Sequence, residues 1–382
     1  MSISLNEPFI LGSERDLIAE ALAGGTSGNG VFTNRCQDHL QKSLGVPRVL
    51  LTTSCTSALE MATILTGVGP GDEVILPSFT FSSTANAVVL RNAVPVFVDI
   101  RPDTLNIDER LIEAAITPKT KAIIVVHYAG VACNMDSILS LADRYSLPVI
   151  EDAAQAFGSS YKGRPLGTFG TLGCLSFHET KNVISGEGGA LIVNDESLID
   201  RAEIIWEKGT DRLKFKRGVV SKYEWVDVGS SFLPNEITAA FLYAQLEGAP
   251  AITSRRRAIW DRYHAGLAAL ERQGLLMRPS VPIDCEGNGH IYFILAPDRQ
   301  TKERWLKVFS VADVGAVSHY VPLHSAPAGR RFGITRGSMS ITDDTFDRLI
   351  RLPMHARLSD EEVDIVLRMI EELVGQSAIA LP

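Results

Sequence analysis

No Cys-x-x-Cys pair occurs in this 382-residue sequence, and its five cysteines (Cys36, Cys55, Cys133, Cys174, Cys285) are odd in number and scattered. That pattern excludes a disulfide framework and argues against a zinc site, so reduced thiols and no metal are expected. Cys174, inside an apolar run, reads as core. Long apolar runs are also missing: stretches such as Ala122 to Val126 fall far short of the roughly 20 residues a membrane helix needs, so no membrane partner is expected. The first residues, Met1-Ser2-Ile3-Ser4-Leu5-Asn6-Glu7, carry no basic stretch followed by an apolar one, and a cytoplasmic protein is expected. Charge of one sign never forms a long block, and the formal net charge is -8, which makes nucleic acid a poor partner. Repeats and low-complexity segments are absent. So is a dinucleotide fingerprint: Gly28-Asn29-Gly30-Val31-Phe32-Thr33 comes nearest but lacks the third glycine and a preceding strand, which sets a nicotinamide dehydrogenase aside.

What remains is the composition of an ordinary soluble enzyme, 45% hydrophobic and 21% charged, with a length that suits one large and one smaller domain. Short β-rich runs alternate with helical spacing through the first half. The runs are Arg48 to Thr53, Glu73 to Leu76, Pro95 to Asp99, Lys121 to His127, Leu147 to Asp152, Leu172 to Phe177 and Ala190 to Val193. Between the first two, Ala58, Leu59, Ala62 and Leu65 share a helical face, and Gly67-Val68-Gly69-Pro70-Gly71-Asp72 is a dense turn signal. Strands that are apolar throughout, separated by helices, predict an α/β domain with a mostly parallel sheet of seven strands covered on both faces. From Ser197 to Arg272 the pattern is long and helical, interrupted by a basic segment near Asp211 to Tyr223. A strand at His290 to Leu295, a helix from about Thr301, a strand at Val314 to Tyr320 and a terminal helix predict a small α/β C-terminal domain. Ser359-Asp360-Glu361-Glu362 opens that last helix as a capping box. The expected division is 1–250 for the large domain and 251–382 for the small one.

Ligands of open parallel sheets bind at the carboxyl ends of strands, which directs attention to the polar residues after each run. Thr53-Ser54-Cys55-Thr56-Ser57 joins a strand to a helix and offers free amides and hydroxyls to an anion such as phosphate, or else serves as a plain helix cap. Glu151-Asp152 ends another strand; a carboxylate against a pyridine nitrogen keeps it protonated, as pyridoxal phosphate requires, although such a residue is often just a cap or an ion-pair partner. Lys181, past the strand that ends in Leu175-Ser176-Phe177 and before the flexible Gly186-Glu187-Gly188-Gly189, can form an imine with an aldehyde if its surroundings lower its pKa. A phosphate cradle, a carboxylate and a lysine, each after a different strand of one sheet, form the set that pyridoxal phosphate requires. Phe81 follows a fourth strand end, where it can stack on a ring or pack in the core.

These motifs make the chain similar to the DegT-type sugar aminotransferases, which have the aspartate aminotransferase-like fold (fold type I). The resemblance spans nearly the whole chain and is carried by Ser54 to Ala58, Pro77 to Phe81, Glu151 to Gln155, Ser176-Phe177-x-x-x-Lys181, Gly186 to Gly189 and His319-Tyr320-x-Pro322-Leu323-His324. It implies that Lys181 holds the aldehyde of pyridoxal 5'-phosphate, that Asp152 pairs with the pyridine nitrogen, and that Gln155 reaches the phenolic oxygen. Phe81 would stack on the ring, and Thr56, Ser57 and Ser176 would bind the phosphate. Where many members have an asparagine reaching the partner's phosphate, this chain has Ser231. The family implies a homodimer with shared sites, with the basic segment (Lys214, Lys216, Arg217, Lys222, Tyr223) over the neighbour's site, and with His319, Tyr320 and His324 near the sugar. It also implies a two-half transfer from L-glutamate to a nucleotide-linked keto-sugar. A narrower likeness, in Thr52 to Thr56, Val126 to Cys133 and Ser176 to Asn182, points to dTDP-4-keto-6-deoxy-D-glucose aminated at C4 for a surface polysaccharide, with C3 or another nucleotide sugar as alternatives. A sugar dehydratase of the same fold replaces the lysine, which Lys181 counts against. A cofactor-binding regulator would add a DNA-binding segment, and none is visible.

Overall fold

The computed structural model describes residues 2–379. Seven strands from residue 48 onward belong to the main sheet: β1 (Arg48–Thr52), β2 (Glu73–Pro77), β3 (Val94–Val98), β4 (Thr120–Val126), β5 (Val149–Asp152), β6 (Leu172–Ser176) and β7 (Gly189–Val193). Later in the chain come β8 (Phe293–Leu295), β9 (Ile334–Thr335) and β10 (Leu349–Arg351), while two-residue strands at Ser160–Tyr161, Arg164–Pro165 and Cys285–Glu286 form a separate small sheet. The main sheet has eight strands in the order β1-β7-β6-β5-β4-β2-β3-β9. Its pairs are parallel except those that β7 makes with β1 and β6. All seven expected runs are strands of this sheet. The eighth, Ile334–Thr335, is two residues on the edge beside β3, too short to carry a pattern of its own.

Alternate residues of one strand feed opposite cores, as the pleat requires. Val49 and Leu51 enter one cluster and Leu50 the other; Ile123 and Val125 part from Ala122 and Ile124 in the same way. Both faces are therefore dry, and polar groups concentrate at strand ends. Helices α1 (Glu14–Gly24), α2 (Val31–Leu44), α3 (Cys55–Leu65), α4 (Ser82–Val89) and the long α5 (Glu236–Gly266) cover the sheet or its flanks. The first two escaped the strand-and-helix count of the sequence.

A third cluster gathers Ile259, Tyr263, Trp305, Ile350 and Val363 with Ile3 from the N-terminal segment. It lies among α5, α6 (Arg299–Val311), α7 (Asp360–Ile379) and the two-stranded β8-β10 pair. Helix α5 runs unbroken through residue 250, with Pro250 inside it. The Asp298 side chain accepts from Thr301 N–H at 2.8 Å to open α6. At α7 the expected capping box is present, with Ser359 N–H donating to Glu362 at 2.8 Å and Glu362 N–H donating to Ser359 Oγ at 3.1 Å. The expected strand at Val314 to Tyr320 is not one. Val314 makes a single bridge to Ile3 and Val317 a single bridge to Arg351, so the apolar residues that suggested a strand bond to two different partners. No helix among the described residues is long and apolar enough to cross a membrane.

Candidate active site

A cavity of about 490 Å³ opens at the carboxyl ends of β2, β5 and β6. Eight of the residues singled out in the sequence line it: Thr56, Phe81, Asp152, Gln155, Ser176, Lys181, His319 and Tyr320.

Asp152 is the last residue of β5, and its preceding neighbour Glu151 points to the opposite face. Glu151 accepts from Gly167 N–H at 2.9 Å, from Phe169 N–H and Gly170 N–H at 2.6 Å each, and contacts Nε2 of buried His127 at 2.8 Å. The acidic pair is thus divided: Glu151 fixes a loop, while Asp152 faces the cavity. Asp152 Oδ2 accepts from Thr84 Oγ1 at 2.7 Å, and Oδ1 from Ala154 N–H at 3.2 Å. Burial raises its carboxyl above the ordinary range, against the lowering effect of those two donors.

Lys181 sits in the turn after β6, where its N–H donates to His178 O at 2.9 Å. Its amine makes no hydrogen bond to the described residues. Loss of water lowers its pKa, opposed by nearby Cys55 and Asp152, while the Arg351 guanidinium lowers it further. Those are conditions under which an amine is neutral and nucleophilic at an accessible pH.

The N-terminus of α3 presents donors of the kind an anion takes. Ser54 caps it, accepting from Ser57 N–H at 3.1 Å, and Ser54, Cys55 and Thr56 all line the cavity. Thr56 Oγ1 meets Ser83 Oγ from the start of α4 at 2.7 Å, so two helix starts converge. The first residue of β7 must lack a side chain for this to happen: a Cβ on Gly189 would lie 2.4 Å from Cys55 N and from Ser54 C. Ser176, at the end of β6, completes the hydroxyl set. These donors, the carboxylate and the amine on one cavity fit the phosphate, ring nitrogen and aldehyde of pyridoxal phosphate.

Gln155 is held at both ends, its Oε1 accepting from Ala129 N–H at 2.7 Å and its Nε2 donating to Tyr320 Oη at 3.0 Å. Phe81, 60% exposed, stands at the mouth with its ring 6.4 Å from that of Tyr320. His319 Nδ1 meets Tyr128 Oη at 3.1 Å, and burial beside Arg351 and Lys181 keeps the imidazole neutral by pushing its pKa far down.

Five expected residues lie outside the lining. Ser57 turns its hydroxyl to Thr53 at 2.9 Å and Ser54 at 3.1 Å. His324 bonds Ser78 at 2.8 Å and faces Asp343 at 3.4 Å, pinning the turn at 322–325 to the end of β2. Ser231 is exposed and bridges to Glu207, and Lys222 and Tyr223 are exposed. In the same basic segment Lys214 pairs with Asp200 at 2.9 Å and Arg217 with Glu203 at 2.7 Å.

Sequence reasoning passed over Arg351 and His290, which also line the cavity. His290 N–H and Nδ1 are tied to Asn288 at 3.0 Å and Asn182 at 2.9 Å, next to Lys181 in the chain. An isolated arginine in a strand and a histidine in a loop carry no signal of their own.

The model of the DegT/DnrJ/EryC1/StrS aminotransferase family matches residues 10–371. The spore coat polysaccharide biosynthesis protein SpsC of Bacillus subtilis is 32% identical, over 96% of each chain. Among solved structures, the aminotransferase TlmJ of Streptoalloteichus hindustanus superposes with a TM-score of 0.90 at 30% identity, covering 98% of this chain and all of that one. Spr1654 of Streptococcus pneumoniae, a proposed sugar aminotransferase solved in its PLP form, has a TM-score of 0.90 at 27% identity, covering 98% of this chain and 99% of the other. The chain belongs to this family and is a pyridoxal-phosphate-dependent sugar aminotransferase.

Proposed function

We propose that this family member transfers the amino group of L-glutamate to C4 of dTDP-4-keto-6-deoxy-D-glucose, giving dTDP-4-amino-4,6-dideoxy-D-galactose for polysaccharide synthesis. The observation that carries the transfer chemistry is Lys181, an amine with a lowered pKa sharing one cavity with Asp152 and the α3 hydroxyl cradle. Support for the sugar is the narrower sequence likeness at Val126 to Cys133 and Ser176 to Asn182.

Bound pyridoxal phosphate supplies an electron sink for the carbanion formed at the donor's α-carbon. The chain's own residues do the rest. Lys181 Nζ would hold the aldehyde and, as a free amine, would serve as the base that moves the donor's α-proton. Asp152, kept in place by Thr84 and Ala154, would hold a proton on the ring nitrogen. Gln155, whose Nε2 points toward Tyr320, would donate to the ring's phenolic oxygen. Ser54, Thr56, Ser83 and Ser176 with the first amides of α3 would hold the phosphate, and Phe81 would cover the ring.

The same reading includes a homodimer. Val219, Tyr223, Trp225, Val226 and Val228 are exposed by 45 to 80%, an apolar run on the basic segment that a second subunit would cover. In that assembly Ser231, Lys222 and the segment around them reach the neighbour's site, and Tyr320 and His319 face the sugar. Residues 1–250 and 251–382 form the two units, joined through α5. Incubating the protein with pyridoxal phosphate, L-glutamate and dTDP-4-keto-6-deoxy-D-glucose and identifying the product by NMR tests the assignment; amination at C3, or turnover only of another nucleotide sugar, refutes the choice of acceptor.

A further inference from the structure

The turn that carries Lys181 is tied to a histidine 108 residues beyond its Asn182 in the chain. Asn182, buried next to the lysine, donates through Nδ2 to Asn288 O at 2.9 Å, and its Oδ1 lies 2.9 Å from His290 Nδ1. A carbonyl oxygen only accepts, so Asn288 O fixes which way the Asn182 amide points. Asn182 Oδ1 must then accept as well, which puts the imidazole's proton on Nδ1. Nε2 of His290 keeps a lone pair and has no partner among the described residues, on a ring that lines the cavity with Lys181.

His290 is itself held from several sides. Asn288 Oδ1 accepts from His290 N–H at 3.0 Å, and Asn288 Nδ2 donates to Gln155 O and Phe157 O at 2.9 Å each. Arg256, buried in α5, donates to Gly289 O at 3.0 Å, to His290 O at 2.8 Å and to Met354 O at 3.0 Å. Residues 288–290 are thereby clamped between α5 and the chain after β5. Burial first, then the neighbouring Lys181, Arg256, Arg351 and His319, push the imidazole's pKa well below its ordinary value and keep it neutral. The lysine turn is closed by bonds from Glu179 N–H to Gly186 O at 2.8 Å and from Ser185 N–H to Phe177 O at 2.7 Å. Those bonds fix the path of the chain; the Asn182 amide, wedged between His290 and Asn288, fixes how the turn faces the cavity. Without the Nδ1 donor, the buried Asn182 Oδ1 is left unpaired, and the amide must turn away to find water.

We propose that His290 is a positioning residue for Lys181: through its Nδ1–H bond to Asn182 it holds the lysine turn so that the amine points into the cavity. It acts on the lysine through Asn182, and it places a neutral acceptor in the amine's cavity where a second cation would oppose it. The inference rests on the aminotransferase reading for what the lysine does. Once the tie is cut, the turn loosens and water reaches the amine. Burial is the largest cause of the lowered pKa of Lys181, set against Cys55 and Asp152 and joined by Arg351, so added water returns the amine toward its unreactive ammonium form.

The test follows Lys181 in wild type, His290→Leu, His290→Asn, Asn182→Ala and the double variant His290→Leu/Asn182→Ala. Leucine removes the donor and keeps the bulk, whereas the amide nitrogen of an asparagine stands where Nδ1 stood. One readout is stopped-flow absorbance as added pyridoxal phosphate bonds to the lysine. The other is the rate at which acetic anhydride acetylates Lys181 in the cofactor-free full chain, followed by mass spectrometry. His290→Leu and Asn182→Ala are each expected to slow both by about tenfold or more, on the scale that a small misplacement costs. His290→Asn should stay close to wild type, and the double variant should be no slower than either single one, because both cut the same bond. A lower melting temperature with both rates unchanged overturns the proposal. So does a His290→Asn as slow as His290→Leu, because the Nδ1 donor would then not be what matters. If circular dichroism shows His290→Leu unfolded, Asn182→Ala cuts the same bond from the other end and is judged by the same rates. A wild type that acetylates at Lys181 but never bonds the cofactor strikes the aminotransferase reading, and the acetylation rates still decide the role of His290.

Discussion

Thr84 Oγ1 donates to Asp152 Oδ2 at 2.7 Å, and the same hydroxyl lies 2.9 Å from Thr80 Oγ1, so a threonine of α4 and one of the β2–α4 connection support the carboxylate at the end of β5. The bond favours the ionised carboxylate, opposing the burial that raises its pKa. Thr84→Val is expected to push that pKa higher still. The acid limb of the pH profile for the L-glutamate half-reaction should then move to higher pH, with a loss of about tenfold in rate at neutral pH. An unmoved limb would detach Thr84 from the carboxylate's ionisation.

The raised pKa of Asp152 also has a consequence for stability. A carboxyl whose folded pKa lies above its unfolded value contributes full stability below the unfolded pKa and loses it as pH rises through the folded pKa. Cofactor-free Asp152→Asn, which keeps the shape and cannot ionise, should therefore melt above cofactor-free wild type at pH 7. The gap should close as the pH falls below the ordinary carboxylate range. Transamination by Asp152→Asn should fall by a hundredfold or more, on the order expected when an acid-base group is removed. Differential scanning calorimetry across pH and a single-turnover assay check the two halves.

Gly189 is placed where α3 crosses the start of β7. A methyl there meets Cys55 N at 2.4 Å, backbone that cannot yield cheaply. Gly189→Ala is expected to shift the α3 N-terminus and weaken pyridoxal phosphate binding at least tenfold while the far-ultraviolet circular dichroism stays native. Equilibrium dialysis of the cofactor measures it, and unchanged affinity would remove α3 from the phosphate site.

Ala129 holds φ at 56° and gives its N–H to Gln155 Oε1 at 2.7 Å. Gln155→Ala leaves that buried donor unpaired, which costs about 1–3 kcal/mol. Chemical denaturation of the cofactor-free protein should show a lower midpoint with an unchanged slope. A variant as stable as wild type would mean that the turn at 128–130 does not depend on Gln155.

The sequence made the catalytic skeleton legible because its signals are local. Fully apolar runs of β-branched residues mark strands buried on both faces, and the polar residues that interrupt them, Asp152 and Lys181 above all, mark the ends. The division of labour between Glu151 and Asp152 follows from strand alternation, but which of the two faces the cavity depends on the 167–170 loop. Arg351 was out of reach for a similar reason: a strand pairing with Phe293 brings it to the cavity, and sequence shows only neighbours along the chain. Val314 to Tyr320 misled because β-rich composition does not say whether one partner or two will bond it. Lys222, Tyr223 and Ser231 lie on an exposed segment apart from the cavity, where nothing in the chain's own packing assigns them a ligand.

The central claim is that Lys181 carries the cofactor and the amino transfer. The direct measurement is the absorbance of wild type and Lys181→Ala with added pyridoxal phosphate, before and after L-glutamate. The account predicts a lysine-bound cofactor band in wild type that L-glutamate bleaches toward the pyridoxamine form, and neither the band nor the bleaching in the variant. A variant whose spectrum and response to L-glutamate match those of wild type, or a wild type without the band, would contradict it.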